Sequence, residues 1–129
     1  MKYLTAEEIL RLHFYYYQRL CRSHGVRDHD RLYWVVDAPK QPVFGVKQYV
    51  GVLQKAAVYI RNIIGDYPFA DGNKRTGITV SAVFLMRNGW NISADTKHLE
   101  DFAVEVALKH LDVEAIAAWL ETHNQNVGS

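Results

Sequence analysis

Five consecutive residues, Asp71-Gly72-Asn73-Lys74-Arg75, put a carboxylate, a glycine, an amide and two cations into one short run. A carboxylate oxygen is the hard ligand Mg²⁺ takes when it also meets the phosphates of a nucleotide. Gly72 lets the main chain come close to an anion, and the N–H groups after it can point at phosphate oxygens. Lys74 and Arg75 carry the charge that offsets what builds up on a transferring phosphoryl or nucleotidyl group. The apolar-periodic residues Ile78, Val80, Ala82, Val83, Phe84 and Leu85 follow at once. The run therefore falls where a loop enters a helix, and the open N–H groups of a helix start favour anions. An ordinary helix start with one acid and two solvated cations has the same pattern, so the residues alone leave both readings open.

The elements around this run read as helices almost throughout. Thr5 and Glu8 form a capping box, and Leu4 with Ile9 has the spacing of a hydrophobic staple. The first helix is predicted to start near Ala6, to carry Ile9, Leu12, Tyr16 and Leu20 on its apolar face, and to end before Ser23-His24-Gly25. A shorter helix is expected over Arg31 to Val36. Pro39 and Pro42 then interrupt, leaving Phe44-Gly45 in an extended or loop segment. The stripe Val46, Val50, Leu53, Ala57, Ile60, Ile64 predicts a long helix closed by Gly65 as its left-handed cap. The next helix runs from about Asn73 to Arg87, stops at Asn88-Gly89, and gives way to a short strand or link at Trp90 to Ser93. Two more cover roughly Lys97 to Lys109 and, behind the N-cap Asp112, the stretch bearing Val113, Ile116, Trp119 and Leu120. A polar tail from Asn124 is expected to fray.

At 129 residues and 49% apolar content the chain can bury one core, and a single domain spanning 1–129 is expected. The 15 cations and 14 anions leave a formal charge of +1 with no basic run, which argues against nucleic acid as a partner. The lone Cys21 excludes an internal disulfide. No apolar run approaches the roughly 20 residues of a membrane span, and no signal pattern opens the chain, so no membrane association and a cytoplasmic location are expected. The six histidines lack a paired ligand spacing such as H-E-x-x-H.

The run Pro68-Phe69-Ala70-Asp71-Gly72-Asn73-Lys74-Arg75-Thr76 resembles the signature of the Fic/Doc (Fido) superfamily, His-Pro-Phe-x-[Asp/Glu]-Gly-Asn-[Gly/Lys]-Arg. The Asn-Lys-Arg-Thr ending, the Phe84-Leu85 to Asn88-Gly89 close of the following helix and the chain length are similar to the Doc branch, small toxins of toxin–antitoxin pairs. Ala38-Pro39 through Phe44-Gly45, followed by a long helix, is similar to the family's flap region, so the resemblance is specific over Ala38 to Gly89. It implies an all-α, compact Fido helical domain with a short flap and an anion-binding loop at a helix N-terminus. It further implies use of ATP with Mg²⁺ and modification of a protein hydroxyl. Doc relatives phosphorylate a threonine of elongation factor Tu and so stop translation, whereas Fic relatives usually transfer AMP (AMPylation). Lys74 where AMP-transferring members have a second glycine, and Ile78 where many carry a further arginine, favour the kinase-like reading. Carried over by position, Asp71 holds Mg²⁺, Gly72, Asn73 and Lys74 form the anion loop, Arg75 contacts phosphates and Phe69 anchors the loop. Thr76 and Thr79 read better as ordinary helix residues than as hydroxyl contacts.

Tyr67 is the departure. The family has a histidine there as general base, a task that needs a pKa near the working pH, whereas a phenol with a pKa of about 10 stays protonated. The resemblance therefore implies a chain that folds and can bind nucleotide but has lost most of its transfer activity. Because the other motif residues are intact, a substitution silencing a toxic enzyme fits better than natural divergence to a binding-only protein. The flap candidate Val43, Phe44, Gly45 and Val46 could add an acceptor peptide as a strand, or be a plain surface loop. Doc relatives are neutralised by an antitoxin helix that occludes the active site, which makes an antitoxin the expected second partner beside the target protein. Thr96-Lys97-His98-Leu99-Glu100 is similar to a self-inhibitory Fic motif, but Asp101 departs from it and the segment reads as a helix start. The aromatic run Phe14 to Tyr17 can face the core only in part.

Overall fold

The computed structural model describes residues 1–17, 26–43, 46–47, 51–70 and 72–126. In chain order these form α1 (Ala6–Tyr17), α2 (His29–Asp37), a 3-10 turn (Ala38–Lys40), β1 (Pro42–Val43), β2 (Val46–Lys47), α3 (Val52–Asp66), α4 (Asn73–Arg87), β3 (Trp90–Ile92), α5 (Thr96–Lys109), α6 (Val113–Thr122) and β4 (Asn124–Asn126). The protein is mostly helical, in line with the all-α expectation, and among the described residues its strands form two antiparallel pairs, β1 with β2 and β3 with β4.

The core is built around α3, whose Ala56, Ala57, Tyr59, Ile60, Ile63 and Ile64 are fully enclosed. Each large side chain among them contributes about 1.5–3 kcal/mol of apolar burial. α3 packs chiefly on α4 and α6, with α2 and α5 closing its flanks. The contact with α4 is close because residue 77 is glycine: a Cβ there would lie 2.9 Å from Ile64 Cγ1 and 3.6 Å from Ile63 Cβ. Lys55 is buried on the same helix, its Nζ donating to Pro39 O at 2.6 Å, so a charged side chain inside the core ties the 3-10 turn to α3.

The first helix starts as its capping box requires: Thr5 N–H donates to Glu8 Oε1 at 3.0 Å and Glu8 N–H to Thr5 Oγ1 at 3.2 Å. Leu4 and Ile9 are both buried. Its end near Ser23, with Leu20, lies outside the described residues. α2 begins two residues before the expected Arg31 because Asp28 caps it, accepting from Arg31 N–H at 3.1 Å. Asn88 ends α4 by donating to Phe84 O and also binds Lys2 through both its amide groups. α5 and α6 start behind Asp95 and Asp112, which accept from His98 and Ala115 N–H. Thr96 to Glu100 is thus a helix start. Phe14 and Tyr15 are exposed.

Three expectations are corrected. The apolar stripe from Val46 is not one helix: Val46 pairs with Val43 in the β1–β2 hairpin, and the helix begins only after Gly51. A β-branched valine at a helical spacing fits a strand as well. Gly65 does not cap α3, which continues to Asp66, and the left-handed residue is Tyr67, with φ 51°. The tail from Asn124 does not simply fray, since Asn124–Asn126 pairs with Trp90–Ile92.

The Arg87 guanidinium hydrogen-bonded to Glu8 joins the end of α4 to the start of α1. That bond, with the Thr5 N–H, holds the Glu8 carboxyl down to about 2 from its ordinary 4.5. Because the folded value is the lower one, the pair's contribution is complete above about pH 4.5 and is lost as pH falls towards 2. With the two side chains 29% and 34% exposed, solvent screening holds it to about 1 kcal/mol. Denaturation at pH 5 and pH 2.5 should show this loss in the chain as given and not in Glu8→Gln.

Candidate functional site

The loop between α3 and α4 is fixed at both ends before any side chain reaches solvent. Pro68 follows Tyr67 and disfavours right-handed helical backbone there, which ends α3. Phe69, two residues on, is wholly buried and stacks on the equally buried His13 ring at 3.9 Å with 8° between the planes. Its main chain forms a bridge with Val26. Phe69 thus anchors the loop in the core, and the partner ring comes from α1.

Asn73 closes the loop from the other side. Its Oδ1 accepts from Phe69 N–H at 3.1 Å and its Nδ2 donates to Phe69 O at 3.0 Å. The amide is committed to this clasp, so any contribution of Asn73 to an anion runs through its main-chain N–H. Gly72 stands at the N-cap of α4 with φ 81°, a left-handed conformation that a side chain would strain. Thr76 N–H donates to Gly72 O at 3.0 Å, which marks the first closed turn. The N–H groups of the residues before it lie at the electropositive end of a helix of four turns. Asp71 lies outside the described residues.

Lys74 and Arg75 are exposed on the first turn of α4. They stand at one end of a groove of about 790 Å³ between α4 and α5, whose walls include Ile78, Val83, Leu99 and Ala103, with Thr79 beside them. Backbone N–H donors at a helix start, a left-handed glycine and two cations form a donor set that suits phosphate oxygens. The fit to an anionic nucleotide rests on these groups, with Asp71 as the candidate carboxylate for its Mg²⁺.

Thr76 is 2% exposed and its Oγ1 makes no hydrogen bond among the described residues. A buried hydroxyl without a partner costs stability. Thr76→Val keeps the branching and removes the hydroxyl, so it should raise the unfolding free energy by about 1 kcal/mol in urea denaturation. A fall would mean that the hydroxyl has a role the free chain does not display.

Tyr67 is 44% exposed at the C-cap of α3. Its carbonyl and those on either side are taken by residues 27, 28 and 31. Sequence reading missed Arg27, Arg31 and His13. The ends of helices attract cations, but no local pattern says that a basic residue about 40 positions upstream is the one that arrives. The flap candidate is an antiparallel hairpin with Val43 opposite Val46; Phe44 and Gly45 lie outside the described residues. Among the described residues no three His, Cys, Asp or Glu side chains cluster as a metal site, and no helix is long and apolar enough to cross a membrane.

Comparison with known proteins places the chain in a family. The model of the Fic/DOC family matches residues 3–85. "Toxin Doc" of Mycolicibacterium smegmatis is 36% identical over 97 residues, covering 74% of this chain and 75% of that protein. "Protein kinase doc" of Escherichia phage P1 is 26% identical over 117 residues, 91% of each chain. With the matched span running from the first helix through the buried Phe69, the Asn73 clasp and most of α4, this chain belongs to the Fic/Doc family.

Proposed function

We propose that this chain is a Doc-type toxin built as an ATP-dependent protein phosphotransferase and silenced at residue 67. The observation that carries the reading is a helix start with a left-handed Gly72 and the cations Lys74 and Arg75 on its first turn, a donor set that suits an anion, with Tyr67 at the other end of the loop. The relative named as a protein kinase supports phosphate over AMP transfer. The acceptor is a threonine or serine hydroxyl of a translation factor, elongation factor Tu being the first to test.

Bound ATP with Mg²⁺ would supply the γ-phosphoryl group and offset the phosphate charge. The chain's own groups do the rest. The N–H groups at the start of α4, with Lys74 and Arg75, hold the phosphates and take up negative charge as the hydroxyl oxygen bonds to the γ phosphorus and its bond to the β–γ bridging oxygen breaks. The Val43–Val46 hairpin lays the acceptor peptide alongside by strand pairing. The hydroxyl proton must leave to a base at residue 67, and a phenol is a poor acceptor for it.

A second reading is favoured by the same tyrosine: a protein that no longer transfers anything and serves to bind its antitoxin. The α4–α5 groove, mostly apolar but with Glu100 on its wall and Lys74 and Arg75 at one end, suits an amphipathic helix that would cover the site. The test is transfer by Tyr67→His from ATP labelled at either the γ or the α phosphate, with elongation factor Tu as acceptor. Label from γ supports the kinase; label from α makes the chain an AMP transferase; no label from either leaves the binding protein.

A further inference from the structure

The main chain from Asp66 to Phe69 is stitched to the segment before and at the start of α2. Asp66 O accepts from Arg27 Nη2 at 3.1 Å and from Arg31 Nη1 at 2.5 Å, and Tyr67 O accepts from Arg27 Nε at 2.8 Å. Pro68 O accepts from the main-chain N–H groups of Arg27 at 2.8 Å and Asp28 at 3.2 Å. Asp28 aims the second arginine, its Oδ2 lying 3.2 Å from Arg31 Nε. Three successive carbonyls at the end of a helix are therefore occupied, and two of them are read by one planar guanidinium whose donors have a fixed spacing.

We propose that Arg27, braced by Arg31, is a positioning residue for the side chain at position 67: its fork fixes the orientation of the two peptides that flank Tyr67, through Asp66 O and Tyr67 O, and so holds residue 67 in the left-handed turn that presents its side chain to solvent. The conformation needs such a support, because φ 51° is unfavourable for a residue with a Cβ and the Pro68 ring limits the alternatives. A base that must meet a hydroxyl within hydrogen-bond reach depends on this orientation. The proposal rests on the Doc-type reading only in taking position 67 as the seat of the base. A lysine can keep the charge and one hydrogen bond but cannot span both carbonyls.

The experiment compares Arg27→Lys and Arg27→Ala in two backgrounds. In the chain as given, labelled at tyrosine, the three-bond HN–Hα coupling and the intraresidue HN–Hα cross-peak of Tyr67 report its left-handed φ by NMR. Both variants should lose that signature while the methyl signals of Ile60 and Ile63 stay in place; an unchanged Tyr67 overturns the proposal. In the Tyr67→His chain each variant should lower kcat for transfer at least tenfold with KM for ATP held within twofold. Recovery of full kcat by lysine, or a fall expressed in KM alone, overturns it. Should Arg27→Ala fail to fold, Arg27→Lys carries both readouts. Should Tyr67→His transfer nothing by itself, the Doc-type reading fails, and the NMR arm still decides the role of Arg27.

Discussion

Tyr67→His should raise phosphate transfer by about 10²–10⁴-fold over the chain as given, the usual worth of a general base. The surroundings permit the exchange. Tyr67 is exposed, and the contacts that fix it run through its carbonyl and those of its neighbours, which any side chain leaves in place. Histidine is also among the residues that tolerate left-handed backbone. Stability should therefore change by no more than about 0.5 kcal/mol, as at most surface sites, so a gain in activity cannot be put down to better folding. The pH dependence separates a base from a bystander. An imidazole with an ordinary pKa of about 6.5 accepts a proton only when neutral, so the rate of Tyr67→His should climb through that region and level off above it. The chain as given should show no such step. A histidine variant as inactive as the tyrosine form, with ATP bound, would remove position 67 from the mechanism.

What the sequence made legible followed from local rules. The Thr5–Glu8 box, the Asp112 cap and the Asn88-Gly89 stop each involve residues within four positions of one another, where capping chemistry acts. The α4 start was legible for the same reason, since glycine before Asn73 and apolar spacing after it leave few alternatives. The misreadings arose where distant groups decide. Gly65 has the usual composition of a cap, but Pro68 and the two arginines place the left-handed turn at Tyr67. Asn124–Asn126 reads as a polar tail until Trp90–Ile92 is seen to offer a strand edge. The α4–α5 groove was also invisible, because Ile78, Val83, Leu99 and Ala103 have the spacing of core residues, and only the packing shows that they line an opening. The candidate site was thus legible as a list of residues, while their supports were not.

Asn73→Ala tests one of those supports, and it should lower the unfolding free energy by about 2–4 kcal/mol. The side chain satisfies both main-chain groups of Phe69, which is wholly enclosed and cannot turn to water. Removing the amide strands a donor and an acceptor, each at about 1–3 kcal/mol, and the better helix propensity of alanine returns only about 0.5 kcal/mol. Asn73→Asp separates the two bonds. Its carboxylate still accepts from Phe69 N–H but faces Phe69 O with no proton to give, so the variant should lose as much stability at pH 7 as Asn73→Ala and recover part of it near pH 4, where the acid form can donate. That recovery distinguishes a clasp from a direct phosphate contact: a carboxylate beside a phosphate would cut nucleotide affinity and leave stability alone. Urea denaturation of the nucleotide-free protein at the two pH values decides the matter. Unchanged midpoints would mean that the amide's place is with the ligand, whereas the expected losses would make Asn73 the brace that keeps the loop in shape when no ligand is there to do so.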